Sequence, residues 1–265
     1  MTINAKKSLG QNWLNSEQAL NKIITAGQIN PGDLVLEIGP GKGALTKKLI
    51  DAGANIIAIE KDNRLISLLE EKFATEIAEQ KLKIIEADIL ETDIKNIVGN
   101  QEYKLIANIP YYITGQIFKK FLQENLQPIL MVVLIQKEVA ERITGNLLAS
   151  SKKPIKESIL SLSIKVYGKP KYISTVKKGS FTPAPKVDSA ILLIDNISKN
   201  FFVKNNINEN QFFNLIKKGF GSKRKLLKSN LEISEQVLTT KKINPLARAE
   251  DLSLEDWKNI SQNIL

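Results

Sequence analysis

The strongest constraint on the fold is a regular alternation of short apolar runs with amphipathic segments. The first run is Leu34–Ile38, and the segment after it carries Leu45 and Leu49 at the spacing of one helical face. Similar runs follow at Ile56–Ile59, Leu82–Ile85, Tyr103–Ala107 and Ile129–Ile135. Strands that alternate with helices form a mostly parallel sheet covered by helices on both faces. The sequence therefore predicts an α/β fold.

The pattern changes towards the carboxyl terminus. Ile159–Tyr167 and Val187–Ile194 are predicted to be strands joined by a loop that contains Lys and Pro, and we expect them to close the sheet as an antiparallel pair. Beyond Asp195 the sequence favours helices and polar turns. We therefore expect one large domain over residues 1–195 and a small helical domain over residues 196–265.

Two missing residue types exclude several kinds of chemistry. The chain has 265 residues and contains no His and no Cys. It therefore lacks the usual general base, the usual zinc and iron ligands, every thiol nucleophile and any disulfide, and we expect no metal. Met1–Lys7 shows no signal-peptide core, and no stretch approaches the roughly 20 apolar residues of a membrane span. We expect a cytoplasmic monomer with no membrane partner.

The net charge of +10 indicates a polyanionic partner, with nucleic acid as the leading class. The basic residues cluster in two blocks without acids, one over residues 165–186 and one over residues 215–230. Such blocks can follow a phosphate backbone. The residues that we expect to bind RNA are Lys177, Lys178, Lys186, Lys223, Arg224 and Lys225.

The first predicted strand ends in a glycine-rich turn. In open α/β sheets, ligands bind outside the carboxyl ends of the strands. Gly39 and Gly41 follow the first strand directly and allow the backbone to approach a ligand closely. Together with Ala44 they also fit the dinucleotide pattern G-x-G-x-x-A, so this turn alone leaves NAD or FAD open.

Acidic residues near the next strand ends favour a different cofactor. Glu60 follows the second strand and can accept hydrogen bonds from both hydroxyls of a ribose. Asp88 follows the third strand and can accept from an adenine amine, with Ile89 against the ring. Glu37, as a carboxylate before the glycine turn, would repel a pyrophosphate and favour a cationic ligand. One ribose, one adenine and a positive charge together describe S-adenosylmethionine.

The run at Tyr103–Ala107 ends in Asn-Ile-Pro-Tyr, which is Asn108, Ile109, Pro110 and Tyr111. The carboxamide oxygen of Asn108 and the carbonyl of Ile109 can accept hydrogen bonds from an exocyclic amine. The ring of Tyr111 can stack on the base that carries this amine. Activation by hydrogen bonding and positioning suits a chain without His.

Several segments resemble the KsgA-type rRNA adenine dimethyltransferases, almost from end to end. They are Lys6–Leu14, Glu37–Gly43, Asn108–Tyr111, Gln136–Val139 and Phe181–Ser189. The resemblance implies a Rossmann-like class I methyltransferase sheet with an all-helical C-terminal domain. It also implies dimethylation at N6 of two adjacent adenosines near the 3′ end of 16S rRNA, within an immature small ribosomal subunit. Family members usually have Phe where Leu9 and Trp13 stand and Asn where Tyr112 stands.

The resemblance also implies individual roles. Residues 1–30 would form an N-terminal lid and helix, Asn108 would touch both cofactor and substrate, and Phe181 would face the target base opposite Tyr111. Gly39 and Gly41 would lie under the methionine moiety. The residues it assigns to S-adenosylmethionine are Gln11, Asn12, Leu14, Gly39, Gly41, Glu60, Lys61, Asp88, Ile89 and Asn108.

Three other functions are compatible with parts of the sequence. The Erm type, which methylates adenine in large-subunit rRNA, shares the Asn-Ile-Pro-Tyr segment, but Gly219–Leu227 and Leu246–Ser253 resemble the KsgA-type C-terminal domain better. A DNA adenine methyltransferase is less similar, because no segment suggests a target-recognition domain. A non-catalytic ribosome-assembly or nucleic-acid-binding factor on the same fold would not need the methyl-donor residues, all of which are present.

Overall fold

The computed structural model describes residues 3–145 and 156–264, with the side chains of residues 263 and 264 excepted. Met1 and Thr2, which begin the segment without signal-peptide features, lie outside the described residues. The chain forms two compact units, one of residues 1–140 and 169–197 and the other of residues 141–168 and 198–265. No helix in the described ranges has both the length and the apolar composition that crossing a membrane requires.

The larger unit is built on a seven-stranded sheet with the order β4-β3-β2-β5-β6-β9-β7. The strands of the chain are β1 Trp13–Leu14, β2 Leu34–Ile38, β3 Asn55–Glu60, β4 Leu82–Glu86, β5 Lys104–Asn108, β6 Leu130–Gln136, β7 Lys169–Val176, β8 Phe181–Thr182 and β9 Ser189–Asp195. The first five strands of the sheet are parallel, whereas β9 runs antiparallel to β6 and β7. This architecture confirms the predicted α/β fold.

Helices separate the parallel strands. The α-helices are α1 Glu17–Gly27, α2 Ala44–Asp51, α3 Asn63–Lys72, α4 Ala74–Ala78, α5 Ile94–Val98, α6 Thr114–Gln123, α7 Lys137–Thr144, α8 Ile159–Lys165, α9 Asn200–Asn205, α10 Glu209–Gly219, α11 Leu227–Leu231, α12 Glu235–Thr240 and α13 Leu254–Ile264. Several begin at a side-chain cap: Ser16 accepts from the N–H of Ala19, and Asp62 accepts from the N–H of Arg64. Helices α1, α2, α3 and α4 contact the sheet, and the central strands β5 and β6 are buried along almost their whole length.

The predicted strand Ile159–Tyr167 is wrong, because this segment forms α8. Ser158 and Ser161 cap its first turn reciprocally, each hydroxyl accepting from the N–H of the other residue. The edge strand that pairs antiparallel with β9 is instead Lys169–Val176, which the sequence pattern assigns to the loop. This strand lies at the sheet edge, where lysines and a proline are tolerated.

The smaller unit has a core of aromatic rings. Tyr167 packs against Phe202 with ring centroids 5.6 Å apart, and Phe202 packs against Phe212 at 5.8 Å. The N–H of Glu157 donates to the carbonyl of Glu250 at 2.8 Å. The boundary at residue 195 stays a prediction, and contacts group the described residues 156–168 with the smaller unit.

Candidate active site

A cavity of about 470 Å³ lies where β2, β3, β4 and β5 end, and residues 9–13 also line it. We call residues 9–14 the N-terminal segment. This placement is the one expected for a ligand site in an open α/β sheet. Twelve of the predicted site residues line this cavity, and they are Gln11, Asn12, Gly39, Gly41, Glu60, Lys61, Asp88, Ile89, Asn108, Ile109, Pro110 and Tyr111.

The glycine turn after β2 needs its glycines. Gly39 and Gly41 have φ values of +66° and +59°, which favour glycine over residues with a Cβ. A Cβ on Gly41 would lie 2.7 Å from Cδ1 of Trp13, so the turn also makes room for the N-terminal segment. The ammonium of Lys42 lies 4.2 Å from the centroid of the Trp13 ring, and this cation–π contact adds a second attachment of the segment to the turn.

The location and protonation of Glu37 differ from those that the sequence suggests. Its carboxyl is fully buried, does not line the cavity and accepts a hydrogen bond of 2.7 Å from the hydroxyl of Thr46. Burial, reinforced by the nearby charge of Glu60, raises the pKa of Glu37 to about 8. Near neutral pH the protonated form is favoured, so Glu37 is not the anionic group that the sequence pattern suggests at the turn.

Glu60 connects β3 to the glycine turn. One carboxylate oxygen accepts from the N–H of Gly41 at 3.1 Å, and the other accepts from the N–H of Asp62 at 2.9 Å. The side chain is nearly buried, and this burial raises the pKa of Glu60 while the hydrogen bonds oppose the shift. A carboxylate has about four acceptor sites, so Glu60 can still accept from ligand hydroxyls.

Asp88 and Lys61 form an ion pair at another side of the cavity. The Nζ of Lys61 lies 2.5 Å from Oδ2 of Asp88, and the N–H of Leu90 donates to Oδ1 at 2.9 Å. The hydrogen bond from Lys61 is the largest cause that lowers the pKa of Asp88. Asp88 is therefore an ionised acceptor, and the buried side chain of Ile89 lines the cavity beside it.

Asp62 is a functional candidate that the sequence reasoning missed. Its buried carboxylate accepts from the side-chain amide of Gln11 at 2.9 Å and from the guanidinium of Arg64 at 2.6 and 2.9 Å. The Arg64 hydrogen bonds are the main cause that holds the pKa of Asp62 well below its usual range. Gln11, Asp62 and Glu60 thus form a continuous hydrogen-bonded chain. An Asp directly before a helical segment is a capping signal that could have indicated its position.

Asn108 ends β5 and holds the N-terminal segment by its side chain. Its Nδ2 donates to the carbonyl oxygen of Asn12 at 2.8 Å. Among the described residues, no group donates to Oδ1 of Asn108 or to the carbonyl of Ile109. The two acceptors expected for an exocyclic amine therefore both remain available at residues that line the cavity.

Tyr111 begins a short 3-10 turn after Pro110 and lines the cavity with part of its surface buried. Its hydroxyl oxygen lies 2.6 Å from the hydroxyl oxygen of Ser189, and the two groups share a hydrogen bond. Burial raises the pKa of the Tyr111 phenol, so the hydroxyl is neutral at physiological pH.

Leu14 and Phe181 do not line the cavity. They face each other in the two-stranded ribbon of β1 and β8, and each is about 95% buried within the core of the larger unit. In this structure Phe181 is therefore not positioned to contact a base opposite Tyr111. The pairing joins residues far apart in the chain, which local sequence patterns do not reveal.

The predicted RNA-binding residues are all exposed. In the larger unit, Lys177 forms an ion pair of 2.9 Å with Asp188, whose carboxylate also accepts from the N–H of Lys178. In the smaller unit, Asn230 donates to the carbonyls of Gly219 and Ser222 and so fixes the turn that carries Lys223, Arg224 and Lys225. Within the described ranges these three side chains have no ion-pair partner.

This sheet, with its cavity at the strand ends, defines a class I methyltransferase. A solved dimethyladenosine transferase from Plasmodium falciparum superposes with a TM-score of 0.73 at 27% identity, over 93% of this chain and 95% of that chain. The 23S rRNA methyltransferase ErmE shares the fold with a TM-score of 0.74 at 21% identity, over 95% of this chain and 99% of that chain.

The chain belongs to the ribosomal RNA adenine dimethylase family, whose sequence profile matches residues 2–265. A ribosomal RNA small subunit methyltransferase A from Dehalococcoides mccartyi is 41% identical over 98% of this chain and 88% of the relative. The protein of that name from Fusobacterium nucleatum is 35% identical over 97% of this chain and 96% of the relative. The family inferred from the sequence motifs is thus confirmed.

Proposed function

We propose that this chain transfers methyl groups from S-adenosylmethionine to N6 of two adjacent adenosines near the 3′ end of 16S rRNA, in an immature small ribosomal subunit. The observation that carries the proposal is the state of Asn108. Its amide nitrogen is committed to Asn12, which leaves Oδ1 and the carbonyl of Ile109 as acceptors in the cavity. The relatives named small subunit methyltransferase A support the choice of RNA.

The cavity residues fit the proposed cofactor. A volume of about 470 Å³ lies within the usual range of small-molecule sites, and the glycine turn permits close approach to a ligand. Glu60 would accept from the ribose hydroxyls, and Asp88 would accept from the adenine amine beside Ile89. Gln11 and Asn12 of the N-terminal segment would cover the ligand. When bound, S-adenosylmethionine supplies a methyl group activated by its sulfonium.

The residues of this chain activate the target amine without a strong base. The N6 lone pair of adenine is delocalised into the ring, and acceptance of its two N–H bonds by Asn108 and Ile109 favours a tetrahedral, nucleophilic nitrogen. Holding the reacting atoms near contact distance supplies several kcal/mol of the acceleration. The proton leaves to water after transfer. The second methylation begins from an amine with one N–H, for which one acceptor is enough.

Tyr111 would hold the target base by stacking, which contributes about 1 to 3 kcal/mol per base. The exposed turn of Lys223, Arg224 and Lys225 would contact phosphates, because these side chains keep their charges available. The stacking role requires that the target base leave its stack in the RNA, as in other enzymes that modify bases.

An Erm-type function is the nearest alternative, because Erm-type enzymes carry the Asn-Ile-Pro-Tyr segment too. The likeness to ErmE, at 21% identity, shows a shared fold and no more. The small-subunit relatives reach 35 to 41% identity over nearly the whole chain, which favours small-subunit RNA. A purely non-catalytic role is disfavoured by the complete set of acceptors in the cavity.

The proposal is tested by methyl transfer from tritiated S-adenosylmethionine to three substrates: immature small subunits, large subunits and duplex DNA. We expect label in small-subunit rRNA, with the product released by nuclease as N6,N6-dimethyladenosine. Label only in large-subunit rRNA would establish the Erm-type function instead. Cofactor binding without transfer to any of the three would favour the non-catalytic role.

A further inference from the structure

We infer that Ser189 is a positioning residue that holds the ring of Tyr111 through its hydroxyl, so that the target base meets a prearranged stacking surface. The inference rests on the proposed function and extends it to a residue outside the cavity lining. Ser189 is the last residue of the Phe181–Ser189 segment. Its hydroxyl contacts Tyr111, which lines the cavity, whereas Phe181 of the same segment lies in the core.

The position of the Ser189 hydroxyl is fixed by the sheet. Ser189 is the first residue of β9, fully buried, and its backbone pairs with Gln136 of β6 and Val176 of β7. A residue held between two neighbouring strands has little freedom to move. Its Oγ lies 2.6 Å from the hydroxyl oxygen of Tyr111, which is within the preferred range for such hydrogen bonds.

Strand β9 itself gains nothing from a hydroxyl at this position. The next residues, Ala190–Ile194, are all apolar and buried. Burying a hydroxyl costs free energy unless it is hydrogen-bonded, so Ala would serve the strand at least as well. In the described residues Tyr111 is the side chain that satisfies Ser189. The hydrogen bond to Tyr111 thus explains why this position carries a hydroxyl group.

The hydrogen bond restrains the ring that the base would contact. A Tyr side chain turns about two torsion angles, and its backbone here lies in a short 3-10 turn after Pro110. With the hydroxyl tied to β9, the torsion about the Cα–Cβ bond is restrained and the far end of the ring is held in place before a base enters. Of the two aromatic residues expected to hold the base, Tyr111 lines the cavity and Phe181 does not. Preorganisation at Tyr111 therefore matters more here.

A double-mutant cycle tests the inference. We expect Ser189→Ala and Tyr111→Phe each to lower kcat/KM on immature small subunits by about fivefold to tenfold, because each removes the same hydrogen bond. The double variant should fall no further than either single variant, and cofactor affinity should stay unchanged. The matched control is Ser261→Ala, which removes another buried serine hydroxyl, bonded to the carbonyl of Lys258, and should leave activity intact.

Independent losses that multiply in the double variant, or full activity of Ser189→Ala, would overturn the inference. A second readout does not depend on the substrate. In protein labelled with fluorotyrosine, the ¹⁹F resonance absent from Tyr111→Phe identifies Tyr111, and it should shift in Ser189→Ala. An unshifted resonance would overturn the inference even if the wild-type protein methylates no small subunits, whereas a shifted resonance with no methylation would reject only the proposed function.

Discussion

The side-chain nitrogen of Asn108 lies 2.8 Å from the carbonyl oxygen of Asn12 and donates a hydrogen bond to it. This bond joins the end of β5 to the N-terminal segment, and it orients the carboxamide so that Oδ1 is the atom left to accept. In the proposed function, this side chain thereby couples the covering of the cofactor to the presentation of the acceptor for the target amine.

Asn108→Asp replaces the donor by a carboxylate oxygen of the same shape. That oxygen would repel the carbonyl of Asn12 and lose the bond, so we expect kcat/KM to fall about tenfold to hundredfold, with weaker cofactor binding. Methyl-transfer kinetics and calorimetric titration of the cofactor measure the two effects. The control is Asn55→Asp, where an exposed Asn donates to the carbonyl of Gly32, and wild-type kinetics are expected. Unchanged kinetics of Asn108→Asp would contradict the coupling.

Gln11→Ala removes the hydrogen bond between the N-terminal segment and Asp62. We expect cofactor affinity to fall about threefold to tenfold, because closing the segment over the ligand is then less favourable. The melting temperature should stay close to that of the wild type, since Asp62 keeps its bonds from Arg64. Gln101→Ala, an exposed glutamine in the same unit, serves as the control. Equal cofactor affinities of the wild type, Gln11→Ala and Gln101→Ala would show that the hydrogen bond between Gln11 and Asp62 does not contribute to cofactor binding.

Because burial raises the pKa of Glu37, we expect the stability of the folded protein to depend on pH. Its pKa is raised from about 4.5 to about 8 in the folded protein, so the folded state retains a proton that the unfolded state releases. Stability from this group is complete below about pH 4.5 and is lost as the pH rises towards 8. The free energy of unfolding should therefore fall by about 2 to 4 kcal/mol between pH 5 and pH 8.

The Glu37→Gln variant separates this effect from other titrations. A Gln amide can still accept from Thr46 but does not ionise, so its unfolding free energy should fall less over the same pH range. Urea unfolding followed by tryptophan fluorescence at pH 5 and pH 8 measures the difference. Parallel losses in both proteins would show that Glu37 ionises normally in the folded state.

The basic turn of the smaller unit predicts a salt effect on RNA binding. Replacing Lys223, Arg224 and Lys225 together by Ala should weaken affinity for small-subunit rRNA and reduce the slope of log K against log salt by about 2 to 3. Lys47→Ala with Lys81→Ala, two exposed lysines already paired with acids, should leave the slope nearly unchanged. If the triple variant keeps the wild-type slope, the turn does not contact phosphates.

The positions of strands are predicted best where apolar runs in the sequence are bounded by glycines and acidic residues. Strands β2 to β6 lie where the runs predict them, and the central strands β5 and β6 are covered on both faces and buried almost throughout. The strand predicted at Ile159–Tyr167 is wrong because a short apolar run with serines suits either a strand or a helix, and reciprocal capping by Ser158 and Ser161 stabilises the helix.

Contacts between distant residues explain the remaining differences. Asp62 meets Gln11 across 51 positions, and Ser189 meets Tyr111 across 78 positions. Neither contact leaves a periodic signal in the sequence. The protonation of Glu37 depends on complete burial, which the residue type alone does not show.

Dimethylation of 16S rRNA is tested most directly by mass spectrometry of its 3′-terminal fragment, after immature small subunits react with the protein and S-adenosylmethionine. The predicted result is four added methyl groups, two on each of two adjacent adenosines, with almost none added by Asn108→Ala. A fragment left unmodified by the wild-type protein would rule out the proposed function, and equal modification by Asn108→Ala would rule out the role of Asn108.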